Sequence, residues 1–425
     1  EAVTNFDTSD ILLNNATIDN FVGSGAIYSF DVTPSSSGSV SVDINSAVAQ
    51  DSATNNNIAA TQLTREADLT LPTVTNITAS TSTISDSTTS FTLMVVYSEE
   101  MDVLVNPDIT FPTENPNNTI SFDNGSWNND SKTYVATYSV TDENEELADI
   151  DVKVENAKDK VGNIQTAFTS NDVFSIDNQN PAVTLNSTAP QTVNGKFTVT
   201  ATFTEAVNNF DNSDILLNNA TIDNFSGSGN NYSFDVTPSS SGSVSVDINA
   251  DVAQDSATNN NIAATQLTRE ADLTLPTVTN ITASTSTISD STTSFTLMVV
   301  YSEEMDVLVN PDITFPTENP NNTISFDNGS WNNDSKTYVA TYSVADANEE
   351  LADIDVKVEN AKDKVGNIQT AFASNDVFSI DSQNPTVTLN STAPETVNGK
   401  FAVTATFTEA VTNFDTSDIL LNNAT

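Results

Sequence analysis

Apolar and polar side chains alternate at period two over long stretches of this chain. Phe197-Thr-Val-Thr-Ala-Thr-Phe203, Tyr232-Ser-Phe-Asp-Val-Thr237 and Val244-Ser-Val-Asp-Ile248 each put their apolar members on one face. That is the pattern of a strand with one buried and one wet face in an antiparallel sheet. Turn formers such as Ser226-Gly-Ser-Gly-Asn-Asn231 and Ser239-Ser-Ser-Gly242 separate the strands, at the short spacing of a β-sandwich. No segment carries a helical period, so the expected fold class is all-β, built from antiparallel sandwiches of about seven strands.

The pattern recurs. Glu1-Ala-Val-Thr-Asn-Phe-Asp-Thr-Ser-Asp-Ile11 returns at Glu205 to Ile215 and again at Glu409 to Ile419. Residues 1–17 and 409–425 are identical, whereas the middle copy differs at Asn208 and Asn212. The repeat is too long for one solenoid turn and fits a pair of ordinary domains. The differences point to a true period spanning two such pairs, and the expectation is a window onto a longer repetitive polypeptide.

Each repeat is itself a diverged tandem duplication. Phe203-Thr-Glu-Ala-Val207 lies over Tyr301-Ser-Glu-Glu-Met305, and Ser213-Asp-Ile215 over Pro311-Asp-Ile313. Val252-Ala-Gln-Asp255 with Asn261-Ile262 lies over Asn360-Ala-Lys-Asp363 with Asn367-Ile368. Aspartate four residues before proline marks each joint: Asp68 to Pro72, Asp177 to Pro181, Asp272 to Pro276 and Asp381 to Pro385. The expected units are a partial type A (1–71), type B (72–180), type A (181–275), type B (276–384) and a partial type A (385–425). Type B is the longer, through a loop expected over Asn310 to Asn333. The short linkers restrict bending, so the array is expected to be an extended rod.

Composition narrows the function. With 12 Lys+Arg against 58 Asp+Glu, the net charge is −46, which argues against nucleic acid or an anionic membrane as partner and favours cations. The charges are dispersed within alternating strands, unlike the blocks of a disordered acidic tail. There is no cysteine and no histidine, so thiolate and imidazole chemistry is absent. No Gly-x-Ser-x-Gly motif occurs, and repeated units seldom house one active site, so no enzyme is expected. No run approaches the ~18 apolar residues of a membrane helix.

Together, Phe203-Thr-Glu-Ala-Val207, Ser213-Asp-Ile215, Asn224-Phe-Ser-Gly-Ser-Gly229, Tyr232-Ser-Phe-Asp-Val-Thr-Pro238 and the Ala-x-Asp-Ser-Ala-x-Asn loop resemble the bacterial Ig-like repeats of giant cell-surface and biofilm adhesins. The resemblance implies a seven-stranded Ig-like sandwich and an extracellular prokaryotic stalk, often stiffened by calcium. It is most specific in type A, and type B departs from it in the long loop. It transfers no ligand.

Alternating strand directions from Pro181 bring the loops Glu205 to Asp214 and Asp251 to Asn261 to the pole that holds the preceding linker. Asp177, Glu205, Asp214, Asp255 and Asn261, with Asp211 as a weaker member, are thus expected to converge at that joint. The counterparts are Asp272, Glu303, Glu304, Asp312, Asp363 and Asn367 at the next joint. At the earlier type B joint they are Asp68, Glu99, Glu100, Asp108, Asp159 and Asn163. Calcium takes six to eight oxygen ligands in irregular geometry, and like charges at one pole repel unless a cation neutralises them. The alternative is that these residues only form Asx-turns and keep the surface soluble.

Sequons recur at Asn15, Asn76, Asn124, Asn186, Asn231 and Asn280, a composition-prone signal for glycosylation. Trp127 and Trp331 either stack on a sugar or cover the edge of a type B sheet. The expected partners are neighbouring copies of the same polypeptide, by self-association or strand complementation of the partial units, and glycans.

Overall fold

The computed structural model describes residues 1–422; the last three positions of the 385–425 unit lie outside them. Three hydrophobic cores contain most of the buried apolar residues, drawn from residues 74–176, 183–271 and 278–380. Each is the filling of a β-sandwich, and no α-helix occurs among the described residues.

In the middle type A unit, one sheet orders the strands Val183–Asn186, Phe197–Val207 and Ala220–Pro238. The facing sheet orders Thr192–Val193, Leu267–Ala271, Gly242–Ile248 and Ile215–Asn218. Val199, Ala201 and Phe203 from the first sheet meet Val244, Val246 and Ile248 from the second, all essentially sealed from solvent. The period-two rows of the sequence are therefore the two inner faces. Pairing is antiparallel except that Thr192–Val193 runs parallel to Leu267–Ala271, so the first strand of the unit is divided between the two sheets. Ala220–Pro238 folds back on itself as a hairpin, reversing within residues 226–231, the segment read as a turn, so that the Asn224 side chain donates to Asp235 Oδ2 at 2.8 Å. There Gly227 (φ 126°) and Gly229 (φ 67°) adopt conformations closed to most side chains, and a Cβ on Gly227 would lie 2.4 Å from the Asn231 carbonyl oxygen.

Type B has two four-stranded sheets. In the second copy, Val278–Ala283, Ser294–Tyr301, Thr337–Val344 and Ile324–Trp331 form one. Thr287–Ser289, Phe372–Asp381, Glu350–Glu359 and Asp312–Thr314 form the other. The loop expected over Asn310 to Asn333 is mostly structured: it contains two edge strands and a 3-10 turn at Pro320–Asn322. Type B is longer because more chain, including this 3-10 turn, runs between Asp312–Thr314 and Ile324–Trp331 than between Ile215–Asn218 and Ala220–Pro238. Trp331 ends that strand and packs on Tyr301 and Tyr338 with ring centroids 5.4 and 5.2 Å away. Its indole nitrogen is sealed from solvent without a hydrogen-bond partner, and the half-buried ring covers the edge of the sheet. Trp127 is placed alike in the first copy.

Candidate metal centre at the domain joints

Asp177 is the last residue of the Phe168–Asp177 strand of type B, and Glu205 lies near the end of Phe197–Val207 in type A. Asp255 opens a tight loop in which its Oδ1 accepts from the Asn259 amide at 2.9 Å. One carboxylate oxygen from each of the three lies within 4.8 Å of the others. The same constellation forms from Asp68, Glu99 and Asp159, and from Asp272, Glu303 and Asp363. In every case one carboxylate comes from the residue leading into the linker and two from the domain that follows.

The electrostatics are those of crowded anions. Burial, then Asp255, Asp177 and Glu146, push Glu205 up to about 7. Burial, then Asp255 and Glu146, also raise Asp177. Glu146 joins because it is the cross-strand partner of Asp177. At the other joints burial and the two neighbouring carboxylates raise Glu99 and Glu303, with Lys132 and Lys336 opposing the rise. No cation opposes the rise at the Asp177 joint, where Glu146 adds a further carboxylate. Burial would raise Asp159 too, but the Asn163 side chain and three backbone amides hold it below its ordinary value.

An asparagine fixes each cluster. Asn163 Nδ2 donates to the Asp68 carbonyl at 3.0 Å and to Asp159 Oδ2 at 2.7 Å, and Asn367 repeats this with Asp272 and Asp363. At the Asp177 joint this place belongs to Asn259, not Asn261. Its Nδ2 donates to the Asp177 carbonyl and to Asp255 Oδ2, both at 2.8 Å, while its Oδ1 accepts from the Asp86 amide at 2.7 Å. One side chain thus ties the preceding domain, the linker and the following domain. Asn180 adds a bond to the Asn260 carbonyl at 2.9 Å.

Several expected members sit elsewhere. Asn261 braces its own loop, accepting from Val252 and Ala253 and donating to the Asn249 and Ile262 carbonyls. Asp214 and Asp211 form a reciprocal capping box on the Asn212–Asp214 turn. Asp108 and Asp312 accept from Asn156 and Asn360 at 2.8 Å. Glu100 and Glu304 are exposed partners of Lys160 and Lys364. Asn259 does have a sequence signal: Asp-x-x-x-Asn is shared by Asp159–Asn163, Asp255–Asn259 and Asp363–Asn367. Matching Asn-Ile pairs across the loops, at the cost of a two-residue insertion, points to Asn261 instead. Glu146, Lys132 and Lys336 carry no sequence signal, because only strand pairing brings them near.

Residues 1–66 and 177–270 match the family of bacterial Ig-like domains. Both matched stretches are type A units. The second matched segment of this Ig-like family opens at Asp177 and so includes the linker carboxylate of the joint. No curated protein matches the chain. Among solved structures, a marsupial T cell receptor is similar at 7% identity, covering 72% of this chain and 98% of its own. Its TM-score of 0.18 is too low to carry an argument.

The donor set suits a hard cation. It offers carboxylate oxygens with neither nitrogen nor sulfur, the preference of calcium rather than zinc. Asp177, Glu205 and Asp255 would hold the ion, which would supply positive charge shared by two domains. Asn259 orients Asp255 and the linker.

Proposed function

We propose that the chain is a stalk or fibre segment of a repetitive bacterial surface adhesin or filament, stiffened by calcium at its domain joints. A tandem array of Ig-like sandwiches suits an extracellular structural or adhesive role, because its units repeat a scaffold and not a catalytic pocket. The observation that carries the reading is the recurrence of one carboxylate triad at three successive joints, each spanning a linker. An ion held there converts mutual repulsion into a shared bond and resists bending of one domain against the next.

The test is thermal unfolding and small-angle X-ray scattering of the 425-residue chain, in calcium and in chelator. Calcium should raise the melting temperature and narrow the spread of interdomain distances. A melting curve and a scattering profile that both ignore calcium removal would sink the proposal.

A further inference from the structure

The two sheets of type B do not close along one side. Ile324–Trp331 is the edge of one sheet, and the opposing edge strand, Asp312–Thr314, is only three residues long. Phe326 stands opposite Tyr342 in the ladder and packs edge-on against it at 5.7 Å. It is nevertheless 57% exposed, because nothing on the shorter edge reaches over it. The mouth is a groove of about 720 Å³, and the first type B unit has its equivalent at about 690 Å³ around Phe122.

Two buried phenols line the groove. Tyr338 and Tyr342 are 1% and 4% exposed. Tyr301, buried in the same core, donates its hydroxyl to Gln369 at 2.8 Å. The Tyr338 and Tyr342 hydroxyls have no such partner among the described residues, and neither is sealed from solvent, so both open onto the groove. The rim adds Asp312, Glu359 and Asn321. Asp312 accepts from Asn360 through one oxygen, and Glu359 pairs with Lys357 through one oxygen, at 2.8 Å each. Each carboxylate keeps its second oxygen available.

The geometry points to an oligosaccharide-binding groove in each type B unit, with Phe326 as the stacking platform and Tyr338, Tyr342, Asn321, Asp312 and Glu359 as hydrogen-bonding groups for a neutral sugar. A pyranose ring offers an apolar C–H face to the phenyl ring and a rim of hydroxyls that both donate and accept. An aliphatic chain would strip water from two carboxylates and two phenols and return no hydrogen bond. A polyanion would meet a chain of net charge −46. Burial holds both phenols above their ordinary pKa, so they remain neutral donors. Two equal grooves one repeat apart would bind a surface glycan bivalently.

The inference is independent of the ion at the joints, and its test separates the two. Calorimetric titration of the 425-residue chain would use neutral tetrasaccharides of glucose, N-acetylglucosamine, galactose and mannose, with a tetralysine peptide as the competing class, in calcium and in chelator. At least one sugar should bind in either condition. The paired substitution F122A/F326A should weaken it by about tenfold or more. The pair Y138F/Y342F, which removes only unpartnered hydroxyls, should weaken it while leaving the melting temperature unchanged. Absence of sugar binding at millimolar concentration, affinity indifferent to both variants, or binding of tetralysine alone would each overturn the inference.

Discussion

Glu205→Gln should make the calcium-free protein more stable at pH 8 and blunt its response to calcium. Glu205 titrates near 7 in the folded protein against an ordinary 4.5, raised by burial and then by Asp255, Asp177 and Glu146. The folded state therefore holds this proton more tightly than the unfolded chain does. Stability conferred by the protonated group is complete below the ordinary value and is lost as pH rises through about 7. A tenfold difference in proton affinity is worth about 1.4 kcal/mol, and solvent screening of this partly exposed carboxylate reduces the total to about 1–2 kcal/mol. Glutamine keeps the shape and removes the charge, so at pH 8 in chelator the type A transition should rise by roughly 5–10 °C. At pH 5 wild type and variant should melt together. An ion at a hundred times its dissociation constant would stabilise wild type by about 2.7 kcal/mol, and the variant, lacking one anionic ligand, should gain much less. Differential scanning calorimetry at both pH values, in calcium and in chelator, reads all of these. A variant less stable than wild type at pH 8, or one with an undiminished calcium shift, would refute the reasoning.

Asn259→Ala and Asn261→Ala should separate joint from loop. Loss of Asn259 leaves Asp255 and the Asp177 carbonyl without their shared donor, so calcium affinity and interdomain order should fall together, by about 1–3 kcal/mol in stability. Loss of Asn261, 1% exposed with four loop bonds, should cost about 2–4 kcal/mol of type A stability while scattering from the joint stays as in wild type. In type B, Gly329→Ala would put a Cβ 1.8 Å from the Tyr338 hydroxyl, and displacement of that ring should cost about 1–3 kcal/mol by denaturant titration. Tyr301→Phe removes the bond to Gln369, buried at 4% exposure, and should lower type B stability by about 1–2 kcal/mol.

Type A is the more legible of the two units, because its strands alternate cleanly and its turns carry glycine or serine. Phe197 to Val207 shows the alternation as burial, with every second residue inward up to Phe203. Type B is harder: Ile324-Ser-Phe-Asp-Asn-Gly-Ser-Trp331 has few β-branched residues and an Asn-Gly pair that reads as a turn. It is held as a strand by pairing with Thr337–Val344 and by the Tyr338 ring lying across Gly329. That override is tertiary, and composition could not show it.

The all-β class, the repeat, and the gathering of Asp177, Glu205 and Asp255 at one pole are all written in the residue order. They follow from period-two alternation and from the fact that successive antiparallel strands return a chain to the same end. Residue order sets two signals against each other, the Asp-x-x-x-Asn spacing that picks Asn259 and the Asn-Ile pair that picks Asn261. The folded loop separates them, by turning one side chain across the joint and the other into its own backbone. The fold also lays Trp331 half-buried across Tyr301 and Tyr338 and leaves Phe326 open, because exposure depends on the length of the facing strand and not on the residue that needs cover.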